Sequence, residues 1–162
     1  MPADALFHLG DMYHRNAVGV YRRGKGGKKD MKKAVRLLTL AADQGQAHAQ
    51  TSLGGMYGIG QGVKKDYAEA ARLFGLAADQ GDAIAQQNLG RLNRIGQGVK
   101  KNVKEAFRLY RLAADQGNAD AQASLGYMYY GGEGVVKNLG EAARLFRLAA
   151  DQGNAECTVP SR

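Results

Sequence analysis

Few residues in this chain have chemistry to offer beyond folding. There are three histidines, His8, His14 and His48, and a single cysteine, Cys157. His8 and His14 are six positions apart, about 240° around a helix of 3.6 residues per turn, so they point to different sides. No His-Glu-x-x-His spacing brings two of them to one metal ion. A single cysteine forms neither an internal disulfide nor a cysteine-based metal site. We therefore expect no metal and no cofactor. Aspartates recur in four copies of Ala-Ala-Asp-Gln-Gly, at Asp43, Asp79, Asp115 and Asp151. Stacked carboxylates are one route to acid–base chemistry. Polar residues on the last turn of successive helices, bonded to the neighbouring repeat, explain the ladder better. A glycine-rich stretch runs into Lys64-Lys65, and another into Lys100-Lys101, each just before a helix start, where anions are attracted. Neither contains the Gly-x-x-x-x-Gly-Lys-Ser/Thr spacing of a phosphate cradle, and the stretch recurs as a turn. No catalytic residue is assigned, and the chain is not expected to be an enzyme.

The elements that position these residues follow from a repeat. Ala-Ala-Asp-Gln-Gly occurs at 41–45, 77–81, 113–117 and 149–153, spaced by 36 residues each time. Leu-Gly recurs with the same period at 53–54, 89–90 and 125–126, and an earlier copy, Leu9-Gly10, precedes the second by 44. The first repeat therefore holds eight extra residues, between Tyr13 and Asp30. Internal periods of this length mark stacked supersecondary units.

Each repeat reads as two helices. Ala49, Leu53, Met56 and Tyr57 share one helical face, and Ala70, Leu73, Phe74, Ala77 and Ala78 share another. Gly58, Gly60 and Gly62 form the loop between them. Asp66 with Glu69, Asn102 with Glu105 and Asn138 with Glu141 have capping-box spacing, with each side chain expected to take up a backbone N–H at the helix start. The first repeat departs from this, with Asp30 followed by Lys33. Gly54, Gly90 and Gly126 lie mid-helix, where glycine costs about 1 kcal/mol against alanine. We expect the second helix to cross there, its paired alanines facing the glycine. A pair of short helices cannot bury its apolar face alone, so neighbouring repeats must stack. The expected fold is an all-α, α/α superhelical solenoid of four helix-turn-helix repeats with one concave face. It forms a single domain over 1–154, with repeats at about 3–46, 47–82, 83–118 and 119–154. Residues 155–162 are the broken start of a fifth repeat or a tail.

The run Leu53-Gly54-Gly55-Met56-Tyr57-Gly58-Ile59-Gly60-Gln61-Gly62-Val63-Lys64-Lys65-Asp66, followed by Glu69-Ala70 and Ala77-Ala78-Asp79-Gln80-Gly81, closely resembles the Sel-1-like repeat family, a 36-residue relative of the tetratricopeptide repeat. The resemblance spans residues 3–154. Leu92-Asn93 replaces Met-Tyr in the third repeat. The resemblance implies a scaffold for protein complexes with no chemistry of its own. Some secreted bacterial members are linked to β-lactam binding or hydrolysis, but they carry a disulfide in every repeat, which this chain cannot match.

The charge is +8, and residues 1–33 hold eight basic residues against three aspartates. Acidic surfaces, nucleic acids and anionic membranes would all attract such a chain. The basic patch we single out is Arg22, Arg23, Lys28, Lys29, Lys64, Lys65, Lys100 and Lys101. Arg36, Arg72, Arg108 and Arg144 recur at one position and would add an exterior basic ladder. Aromatics for base stacking are not interleaved with these charges, so nucleic acid is the less favoured partner. Tyr13, Tyr57 and Tyr129 share one repeat position and read as inter-helix packing. No apolar run approaches the roughly 18–20 residues of a membrane span. The start Met-Pro-Ala-Asp-Ala-Leu has no signal-peptide pattern, so the expected location is cytoplasmic.

Positions that differ among otherwise matching repeats point to a partner. Asp11, Gly55, Arg91 and Tyr127 align, as do His14, Gly58, Arg94 and Tyr130, and as do His8, Ser52, Asn88 and Ser124. By family resemblance the first helix lines the concave face. We place the binding of a protein or peptide partner on Asp11, His14, Asn88, Arg91, Arg94, Tyr127 and Tyr130. At the other end, no polar capping repeat follows. Leu145, Phe146 and Leu148 are expected to stay exposed, and the chain either to self-associate there or to belong to a longer array.

Overall fold

The computed structural model describes residues 1–22 and 27–153, with the side chains of 16–22 and of Lys29 left aside. The described residues contain eight α-helices and no strand: α1 (Ala3–Arg22), α2 (Lys28–Asp43), α3 (Ala47–Ile59), α4 (Tyr67–Asp79), α5 (Ala83–Ile95), α6 (Val103–Asp115), α7 (Ala119–Gly131) and α8 (Leu139–Asp151). They pair as four hairpins, α1 with α2, α3 with α4, α5 with α6 and α7 with α8, while α3 also packs on α2 and α7 on α6. The hairpins gather into two compact units, Met1–Asp82 and Ala83–Arg162.

Most of the eight extra residues of the first repeat lengthen its first helix. α1 has 20 residues where α3, α5 and α7 each have 13, a difference of seven. α2 likewise starts early, at Lys28, after a Gly27 cap that makes no side-chain hydrogen bond. Asp30 is thus inside the first turn of α2, where its charge suits the helix dipole, and is not a cap at all.

The other second helices are capped, though by half a capping box. Asp66 Oδ1 accepts from Ala68 N at 2.9 Å and Glu69 N at 3.0 Å. Asn102 and Asn138 accept from Glu105 N and Glu141 N, each at 3.0 Å. The reciprocal bond expected from the glutamates is replaced. The cap N–H groups donate instead to main-chain carbonyls at the end of the first helix: Asp66 to Tyr57 at 3.0 Å, Asn102 to Asn93 at 2.8 Å and Asn138 to Tyr129 at 2.9 Å. Each loop is thereby closed across its base, and the glutamates are released for other partners. Gly62, at φ 73°, completes the packing of one such loop, because a Cβ there would lie 2.6 Å from Met31 Cγ on α2.

The mid-helix glycines do mark the helix crossing, but rings face them where alanines were expected. A Cβ on Gly54, Gly90 or Gly126 would lie 2.9 Å from the ring of Phe74, Tyr110 or Phe146 respectively. The core of the first unit includes Leu6, Met31, Leu38, Leu53, Met56 and Leu73. That of the second includes Tyr110, Leu125, Met128 and Leu145, with Phe146 in a satellite cluster. Leu145 and Phe146 were expected to remain exposed but are buried, because they face α7 and Gly126 within their own hairpin. Leu148 alone of the three stays exposed, at 40%.

Candidate functional site

The aligned variable positions form one recurring contact inside each unit. In the first unit His14 Nε2, on α1, is 3.1 Å from Gln61 Oε1 in the loop after α3. In the second, Arg94 on α5 reaches the equivalent residue, Glu133, in the loop after α7, with Nε at 3.0 Å and Nη2 at 2.8 Å from Oε2. Each contact ties the first helix of one hairpin to the loop of the next. The half-buried guanidinium holds the Glu133 carboxyl below the usual glutamate range. It also shares a hydrogen bond with Tyr110, whose hydroxyl is bonded to Ser124 on α7. Burial pushes the Tyr110 phenol up.

Of the remaining residues of the predicted partner site, Arg91, Tyr127 and Tyr130 are exposed and Asp11 and Asn88 are half-buried. Arg91 is exposed on α5. Tyr127 and Tyr130, on α7, are 40% and 38% exposed. Tyr127 packs edge-on against Phe146 with ring centroids 4.9 Å apart, and Lys137 Nζ lies 5.9 Å from the Tyr130 ring. Asn88 is half-buried, its side-chain amide donating to the Ile84 carbonyl at 3.0 Å. Asp11 is ion-paired with Arg15 one turn further along α1.

The exterior arginine ladder is largely neutralised. Arg72 donates through two nitrogens to Glu69, as Arg108 does to Glu105 and Arg144 to Glu141, with Nη2 distances of 2.5–2.6 Å. These are the glutamates freed from the capping box, and their carboxyls are held below the usual range by those arginines. Arg36 has Lys33 where the others have glutamate. Lys28, Lys64, Lys65, Lys100 and Lys101 are exposed, with Lys65 Nζ 5.4 Å from the Tyr67 ring. The side chains of Arg22 and Lys29, and the whole of Arg23, lie outside the described residues.

Sequence reasoning missed a glutamine relay. Gln80 Nε2 donates to Gln50 Oε1 at 2.9 Å, and buried Gln50 donates to the Ala42 carbonyl at 3.2 Å. Gln152, Gln122 and Ala114 repeat the relay at 2.8 and 3.3 Å in the second unit. The glutamine of Ala-Ala-Asp-Gln-Gly thus holds a buried glutamine of its own hairpin, and that buried glutamine makes the bonded link to the preceding hairpin. The signal was present as Gln50, Gln86 and Gln122, polar residues recurring at the repeat period beside buried alanines. Tyr13, Tyr57 and Tyr129 pack against the cores, Tyr129 edge-on to Phe107 at 5.5 Å.

Among the described residues, no group of three or more His, Cys, Asp or Glu side chains is placed to hold a metal ion, and Cys157 lies outside them. His48 is bonded to Asp82 at 3.0 Å. A cleft of about 250 Å³ in the second unit is lined by Arg111, Asp115, Glu141 and Arg144, and its glutamate is already held by its arginine. No helix of the described residues is long and apolar enough to cross a membrane.

Paired helices of fixed period, capped loops and residue variation on one helix face define an all-α helical-repeat protein of the solenoid class. The chain belongs to the Sel1 repeat family, whose pattern matches residues 3–46, 47–82, 83–118 and 119–154. It is similar to a protective antigen of uropathogenic Escherichia coli displaying an SLR fold, with 36% identity and a TM-score of 0.84 over 96% of this chain and 32% of that one. It is also similar to a Sel1 repeat protein from Oxalobacter formigenes, with 36% identity and a TM-score of 0.80 over 96% of this chain and 60% of that one. Helicobacter pylori cysteine rich protein B is more distant, at 27% identity and a TM-score of 0.62 over 80% of this chain and 93% of that one. The chain thus spans about a third and three-fifths of the first two. No curated protein matches it. Sel1 repeat proteins generally act as non-catalytic scaffolds for protein interaction.

Proposed function

We propose that this protein is a non-catalytic adaptor that holds a protein or peptide partner on the first helices of its repeats. Asp11 and His14 would serve in the first unit, and Asn88, Arg91, Arg94, Tyr127 and Tyr130 in the second. The observation that carries this reading is the exposure of Tyr127 and Tyr130 on α7 at positions where the repeats differ. Rigid aromatic rings and arginines are the residue types that dominate binding energy at protein interfaces. The contacts within the site divide its members by role. Arg91, Tyr127 and Tyr130 are the groups that touch a partner. Arg94 and His14 set the loops beside them.

Photo-crosslinking from position 130 of the full chain tests this. Adducts should form there and not from Leu76 on α4, which is also exposed. Arg91→Glu combined with Tyr127→Ala should remove them while leaving the helical signal unchanged. Adducts that form equally from Leu76, or that survive the double substitution, would count against this placement. Arg94→Glu is unsuitable for this purpose, because it sets a second carboxylate against Glu133.

A further inference from the structure

The loop edge of the second unit combines exposed aliphatic side chains with lysines. Val136 is 86% exposed, and Leu139, the first residue of α8, is 49% exposed; Ile95 ends α5 at 51%. Lys100, Lys101, Lys104 and Lys137 are all exposed on the same edge. The edge is one surface because its loops pack together. A Cβ on Gly134, in the loop after α7, would lie 2.7 Å from Val103 Cγ1 at the start of α6. The carboxylates on this edge already have arginine partners: Glu105 has Arg108, Glu141 has Arg144, and Glu133 has Arg94, with Lys101 adding to its field. Its two caps are the neutral Asn102 and Asn138, where the first unit has Asp66. The lysines therefore dominate the local charge.

We propose that this edge docks on an anionic lipid bilayer, with Val136 and Leu139 entering the boundary between headgroups and acyl chains while the four lysines rest on acidic headgroups. Aliphatic residues flanked by lysine are the composition that binds such an interface, each part adding to the other. Nucleic acid fits less well. Bases stack on open aromatic faces, whereas this edge offers aliphatic tips, and its ring, Tyr130, has Lys137 beside it. The edge adjoins the proposed partner surface at Tyr130, whose ring lies beside Lys137.

Cosedimentation of the full chain with vesicles tests the proposal. Binding is expected with phosphatidylserine–phosphatidylcholine vesicles and not with phosphatidylcholine alone. Each lysine removed should weaken it about fivefold, so Lys104→Ala with Lys137→Ala should weaken it about twenty-five-fold. Val136→Ser with Leu139→Ser, which leaves the charge unchanged, should weaken it about tenfold. Both pairs are surface changes, and far-ultraviolet circular dichroism should show an unchanged helical signal. Failure to bind the anionic vesicles, equal binding to both compositions, or serine variants that bind like the parent would each overturn the proposal. If the serine variants are silent and a single-stranded 30-mer DNA binds as tightly as the vesicles, the edge is a polyanion site instead.

Discussion

Arg94 and Glu133 lie 39 residues apart in the chain, yet Arg94 Nε and Nη2 both donate to one oxygen of Glu133, at 3.0 and 2.8 Å. The pair pins the loop after α7 to the end of α5, and Tyr110 and Ser124 extend the link to α6 and α7. His14 and Gln61 occupy the same two positions in the first unit, 3.1 Å apart. One position thus serves as a link between hairpins in both units, through an ion pair in the second and a histidine–glutamine contact in the first.

The charged link should be pH-sensitive. The Glu133 carboxyl is depressed in the folded protein by its hydrogen bond to Arg94, so its contribution is present above the ordinary glutamate pKa and is lost as pH falls through the lower, folded value. Both side chains are about one-third exposed, which limits the coupling to about 1 kcal/mol. A double-mutant cycle with Arg94→Gln and Glu133→Gln should return that value at pH 7 and close to zero at pH 2. In Arg94→Gln the Glu133 titration followed by NMR should move up to the ordinary range.

Two glycine substitutions should have opposite signs. Gly126→Ala forces a methyl group into the Phe146 ring, 2.9 Å away, and should destabilise by about 1–3 kcal/mol, in spite of alanine's better helix propensity. Gly55→Ala, one residue past the equivalent glycine, meets nothing within 4 Å and should stabilise by up to about 1 kcal/mol. Urea denaturation of the two variants distinguishes packing from propensity as the reason for a glycine.

The half capping box predicts unequal effects at its two ends. Asn138→Ala removes the acceptor for Glu141 N and should lower stability by about 1 kcal/mol. Glu141→Gln loses an exposed pair with Arg144 and no cap bond, so about 0.3–0.5 kcal/mol is expected. Equal losses from the two changes, measured by thermal melts, would show that the glutamate does reach the cap.

Breaking the glutamine relay should be more damaging than its polar residues suggest. Gln122→Leu leaves Gln152 and the Ala114 carbonyl without a buried partner. A loss of about 1–3 kcal/mol is expected. Amide hydrogen exchange should show the loosening where the ends of α6 and α8 meet α7.

The period of 36 residues, the helix pairs, the caps and the loop glycines were all legible in the chain, because each depends on residues a few positions apart. The glycines at 54, 90 and 126 announced a close approach for the same reason, since a costly residue repeated at one spacing needs a cause. The partners of these residues were not legible. Glu69, Glu105 and Glu141 have capping-box spacing but turn to arginines, because carbonyls from the preceding helix satisfy the cap N–H groups. Leu145 and Phe146 are buried because a hairpin closes over them. Arg94 meets Glu133, and Gln50 meets the Ala42 carbonyl, only once successive hairpins stack. Local spacing determined what each repeat is. Contacts made only when helices pack, from nine positions apart in the cap bonds to 39 in the Arg94–Glu133 pair, decided which of its polar groups are occupied.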